Sequence, residues 1–145
     1  MCSSDLALVD DLLQYNGFMC IRMKDVIALE VPAKYELFVK AALRKRGERL
    51  PRKPHVSVAG LPELLMTSGY AFPLITIHRE RVNPDVCHIG RLVELKDKRV
   101  LLREIGPDAR WDEAPQSYAV REITRVDFGG KYEEALVLVG GNPDS

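Results

Sequence analysis

The sequence predicts a mainly β, β-rich α+β protein of two related units, the second a small five-stranded barrel, with a helix after the first unit. Three observations predict it. The string Lys24–Glu36, KDVIALEVPAKYE, lies without a gap over Arg121–Glu133, REITRVDFGGKYE, at a constant offset of 97. Lys24 meets Arg121, Asp25 meets Glu122, Leu29 meets Val126, Glu30 meets Asp127, and Lys34-Tyr35-Glu36 recurs as Lys131-Tyr132-Glu133. From Cys87 onward, short apolar runs alternate with tight-turn residues in meander order, the pattern of a small barrel. Tyr35–Arg46 has apolar residues at 35, 38, 39, 42 and 43, which is helical spacing. A repeat of this kind organises a fold and names no reaction.

In chain order, Met1–Leu6 is also what a common sequencing adapter spells in one reading frame. These six residues are therefore expected to be foreign and to pack poorly, with an amino-terminal piece of the first unit missing. Ala7–Gln14 is too short to choose between a strand end and a helix. Tyr15-Asn16-Gly17 reads as a turn, because Asn and Gly tolerate positive φ. Phe18–Met23 and Val26–Val31 read as strands, the second broken by Pro32-Ala33. The helix follows, with Arg44, Lys45 and Arg46 in its last turn, where the macrodipole favours cations, and Gly47 ending it. Glu48–Pro54 is a polar linker carrying Pro51 and Pro54. Val56–Val58 reads as a brief strand, and Gly60–Ser68 as one or two helical turns closed by Gly69, with Pro62 allowed in the first turn.

Phe72–His78 alternates and is β-branched enough for a strand, and Asn83-Pro84-Asp85 is a turn. Strand CHIGRLVEL begins at Cys87 with a bend at Gly90; Lys96-Asp97-Lys98 turns it into strand Arg99–Ile105. After the polar excursion Gly106–Pro115 come two short strands, Ser117–Val120 and Glu122–Phe128. Tyr132–Val139 matches the helix of the first unit, but ALVLV within it favours a closing strand. The expected division is 7–47 for the first unit, 48–86 for a linker with a short helix and strand, and 87–140 for the barrel unit.

In FPLITIH, CHIGRLVEL and ITRVDFGGKYEEAL the chain resembles a set of bacterial proteins of uncharacterised function with Sm-like or SH3-like small barrels. The resemblance implies that barrel for the second unit. Its strings are structural, so it transfers no catalytic or binding residue.

Composition narrows the function. Of 145 residues, 46% are hydrophobic, and Lys plus Arg equals Asp plus Glu at 21 each, so no global field steers the chain toward nucleic acid or membrane. No apolar run approaches the roughly 20 residues of a membrane helix. Cys2, Cys20 and Cys87 are odd in number and unpaired in spacing, which reads as reduced thiols in a cytoplasm. His78, Cys87 and His88, with Cys20, are the soft-ligand candidates. Cys87 and His88 are adjacent, however, and on a strand they point to opposite faces, so no metal site is expected. No nucleophile elbow, HExxH, phosphate loop or dinucleotide fingerprint occurs, so neither enzyme activity nor a cofactor is expected.

Two polar stretches stand out. Lys40, Arg44, Lys45, Arg46, Arg49, Arg52 and Lys53 face only Glu48 within 40–53, a local balance of +6, while residues 104–134 carry −4. Trp111, the single tryptophan, sits among Asp108, Asp112 and Glu113; carboxylates beside an aromatic can hold a sugar, but a solvated loop anchored by one ring is expected. The basic segment and this acidic loop are expected to face each other or to share a partner. The functional expectation is a non-enzymatic adaptor or regulatory module for a protein partner or a homo-oligomer. The alternative is Sm-like RNA binding through residues 40–53, against which the lack of interleaved aromatics counts.

Overall fold

A computed structural model describes residues 3–144, and the side chains from Leu6 onward; Met1, Cys2 and Ser145 lie outside it. Among the described residues, seven strands make one antiparallel sheet. They are β1 (Ser3–Val9), β2 (Tyr15–Arg22), β3 (Ile75–His78), β4 (Cys87–Lys96), β5 (Arg99–Glu104), β6 (Gln116–Ala119) and β7 (Arg125–Phe128). Their order is β1-β2-β7-β3-β4-β5-β6, so the sheet is open, with β1 and β6 at its edges. Three helices accompany it: α1 (Glu36–Lys45), α2 (Leu61–Ala71) and α3 (Lys131–Gly140). Short 3-10 helices span Met23–Asp25 and Val120–Glu122, themselves 97 residues apart.

Period-two alternation decides the two faces of the sheet. Ile75 and Ile77 on β3 and Val126 and Phe128 on β7 point to one face with Cys20, Val100 and Leu102, and α2 covers them with Leu64 and Leu65. Full burial of each such side chain contributes about 1.5–3 kcal/mol. Phe18, Phe72 and Phe128 stack at one end of this core. A smaller cluster joins Leu136 of α3 to Leu74 and Ile105, with Trp111 packed against it.

Local chemistry explains most elements. Asp97 and Lys98 both take positive φ, the geometry of a two-residue hairpin whose twist matches the strands. At the end of α1, Glu48 N–H reaches back to Leu43 O as Gly47 takes positive φ. Gly17 also has positive φ, but it lies inside β2, and the Tyr15-Asn16-Gly17 turn is corrected to strand. The reversal falls at Asp10–Gln14, where Asp10 Oδ1 accepts from the N–H groups of Leu12 and Gln14. Gly69 does not close α2, which runs on to Ala71; a Cβ there would sit 2.4 Å from Leu92, so packing on β4 requires the glycine.

Three further expectations are corrected. Val56–Val58 is no strand; it lies against the core as irregular chain. Tyr132–Val139 belongs to α3, because β7 is already flanked by β2 and β3 and leaves no edge for a closing strand. Val26–Val31 is irregular too. No strand among the described residues pairs with it, and a strand without a partner has no ladder to close. The backbone of Ser3–Leu6 pairs along β2 from Arg22 to Met19, in an edge strand of the sheet, and the Leu6 side chain is exposed. The stretch 48–86, expected as a linker with a short helix and strand, holds α2 and β3, and β3 lies in the middle of the sheet.

Candidate functional site

The segment that opens at Val26 is the most unusual surface of the protein. Ile27 is 100% exposed, Leu29 82% and Val31 77%, and Leu37 and Phe38 continue the apolar surface onto the first turn of α1. Pro32–Phe38 walls an open hollow of about 600 Å³. Residues 97 positions later have the opposite environment: Ile123, Val126 and Phe128 are buried under α2 and against β3. Both stretches leave a 3-10 helix clamped by a carboxylate. Asp25 accepts from Arg22 at 2.5 Å and Arg81 at 2.7 Å, and Glu122 accepts from Arg79 at 3.1 Å. Both then run into a helix at the shared KYE string, but Tyr35 and Tyr132 are both exposed rather than packed on their own units.

The seven cations of 40–53 are all exposed. Lys40 bonds Glu36 one turn earlier; among the described residues the other six make no ion pair. Asp108 pairs with Arg110 beside it, so no ion pair joins the acidic loop to the basic segment among the described residues. Trp111 is half-buried. Its Nε1 donates to Gly140 O at 3.1 Å, and its ring lines a cleft of about 700 Å³ with Tyr70, Phe72, Arg91 and Pro143. It ties the 106–115 loop to the end of α3.

On the face of the sheet away from α2, polar groups converge, of which the sequence singled out only His78 and Cys87. His78 Nε2 donates to Asp127 Oδ2 at 3.0 Å, Arg125 donates to both oxygens of Asp127 at 2.8 and 2.6 Å, and Thr76 donates to Glu133 at 2.7 Å. Burial opposes ionisation of Asp127, but these hydrogen bonds outweigh it and hold the carboxyl below its ordinary range. Cys87 lies opposite His78 in the β3–β4 register. Burial pushes the Cys87 thiol up, and Asp127 and Glu133 add to the shift, so it stays protonated at neutral pH. A nucleophilic cysteine needs the reverse.

His88 sits on the opposite face, as the alternation predicts. There Nδ1 donates to Glu104 Oε1 at 2.8 Å, while Tyr118 donates to Glu104 Oε2 at 2.6 Å under the Arg79 guanidinium. Burial and the Glu104 bond push the Tyr118 phenol far above its usual range. His88, Glu104 and Tyr118 bond one another, while the buried Nε of Arg79 has no hydrogen-bond partner among the described residues. Among the described residues no three His, Cys, Asp or Glu side chains are placed to hold a metal, and no helix is long and apolar enough to cross a membrane. The only signal that sequence reading could have used for the His78–Asp127 pair is the shared alternation of ITIH and RVDF.

No protein-family model, curated protein or solved structure matches the chain.

Proposed function

We propose that the protein is a non-enzymatic interaction module that binds a protein partner through residues 26–38. The observation that carries this reading is the exposure of Ile27, Leu29, Val31, Leu37 and Phe38 on one short stretch. Contiguous apolar surface of this kind marks interaction sites, whereas single exposed apolar residues do not. The finer architecture proposed with it is a Sm-like or SH3-like small barrel formed by β3 to β7, with a related first unit from β1 to α1. The run β7-β3-β4-β5-β6, with a 3-10 turn leading from β6 into β7, supports the barrel. The 97-residue spacing of the 3-10 helices supports the relation between units.

RNA binding by Lys40–Lys53 is the second reading, favoured by six exposed cations without ion partners among the described residues. One experiment separates the two. The full chain and a Leu29→Asp/Val31→Asp variant are recovered from the source cells and sized by sedimentation, then titrated with mixed RNA at several salt concentrations. The expected result is a complex of fixed stoichiometry with one protein for the wild type, its loss in the variant at unchanged melting temperature, and no RNA binding by either. A complex that survives in the variant, or a wild type recovered alone, overturns the proposal. RNA binding with a log–log salt slope of about −0.7 per phosphate contacted would establish the second reading instead.

A further inference from the structure

Resting on that reading of residues 26–38, we infer that the occupant is a helix–strand segment of the chemistry of α2 and β3, supplied by another polypeptide and added antiparallel to Ala28–Val31. The protein carries the template within itself. Across β3 and β7, Ile75 faces Phe128, Thr76 faces Asp127, Ile77 faces Val126 and His78 faces Arg125. Shifted by 97, those four positions of β7 become Val31, Glu30, Leu29 and Ala28. The residues that β3 and α2 bury, Ile123, Val126 and Phe128, are matched in kind by Val26, Leu29 and Val31, which nothing covers to the same degree.

Polar positions repeat as well as apolar ones, and they narrow the occupant. Asp127 takes the His78 imidazole and Glu133 takes the Thr76 hydroxyl. Their counterparts are Glu30, which has no hydrogen bond among the described residues, and Glu36, bonded only to Lys40. A strand that alternates branched apolar residues with Thr and His meets both carboxylates and buries its apolar side on Leu29 and Val31. A preceding helix with an apolar face like that of Leu64 and Leu65 then covers Val26. A second folded copy cannot donate its own β3, which is held on both sides by β4 and β7. It has only the edges of β1 and β6 to offer.

The probe is a labelled peptide with the sequence of residues 60–80, titrated into the full chain by fluorescence anisotropy while sedimentation follows self-association. Saturable binding is expected, weakened tenfold or more by Leu29→Asp in the chain and by Ile77→Asp in the peptide, and a few-fold by Glu30→Gln. Leu29 and Glu30 are exposed, so circular dichroism should find each variant folded. Register is read by disulfide capture with Cys2 and Cys87 of the chain replaced by Ser. Leu29→Cys should trap a peptide carrying Ile77→Cys, and not one carrying Thr76→Cys, because directly opposed residues place their Cβ atoms about 4.5–5.5 Å apart. Binding that ignores Leu29→Asp, or capture in the other register, overturns the inference. No peptide binding, with self-association that Leu29→Asp abolishes, overturns the inference and leaves the docking segment standing with a second copy as occupant. Neither binding nor association overturns the inference alone, and the docking segment is then decided by whether the wild type is recovered from the source cells in a complex that Leu29→Asp/Val31→Asp abolishes.

Discussion

Ile123, Val126 and Phe128 are buried in the middle of the sheet, whereas Leu29 and Val31, matched to the last two across 97 residues, stand in solvent with Val26 half-covered beside them. The two stretches share their apolar spacing, the carboxylate-clamped 3-10 helix before them and the helix after them. They differ in their neighbours. β7 has β2 on one side and β3 on the other and α2 above it, while no strand pairs with 26–31 among the described residues. The difference teaches that an apolar alternating string is half of a strand: the other half is a neighbour that accepts its backbone hydrogen bonds and covers its side chains.

The comparison breaks most sharply at Phe128 and Val31. Phe128→Ala should cost about 3–5 kcal/mol, because it empties the stack with Phe18 and Phe72, whereas Val31→Ala should change stability by less than about 0.5 kcal/mol. Urea unfolding of both variants measures this; equal losses would mean that residues 26–31 are covered in solution.

A second contrast concerns two glycines with positive φ. At Gly17, where β2 meets β7, a Cβ would lie 2.6 Å from Gly130 N, while at Gly47 nothing lies within 4 Å. Gly47→Ala should show the left-handed backbone cost alone, about 1–2 kcal/mol. Gly17→Ala should add about 1–3 kcal/mol for overpacking. Equal effects in thermal unfolding would remove the close approach of β2 to the β7 turn.

The smallest expected effect is on acid stability. The folded pKa of Asp127 lies below its ordinary value of 3.8, so its contribution is present above that pH and is lost as pH falls through the lower, folded value. Asp127→Asn should therefore flatten the fall in stability between about pH 5 and pH 2. Urea midpoints across that range test this, and a fall as steep in Asp127→Asn as in the wild type would mean that His78 and Arg125 do not hold the Asp127 carboxylate in solution.

What the sequence determined by itself is what local chemistry closes locally. Lys96-Asp97-Lys98 makes its turn from two backbone dihedrals, and Tyr35–Arg46 makes its helix from its own hydrogen bonds and the Gly47 cap. The alternation of ITIH and RVDF likewise settles which side chains share a face, though not which strand lies alongside. The tertiary structure alone decided that IALEV stays unpaired, that ALVLV is helical once both edges of β7 are taken, and that Gly69 serves packing on Leu92 rather than a helix end. It alone brought His78 to Asp127 across 49 residues and left six cations of 40–53 without ion partners among the described residues. The reason is physical: a helix or turn satisfies its backbone groups within its own few residues, but a strand and a site borrow theirs from distant chain.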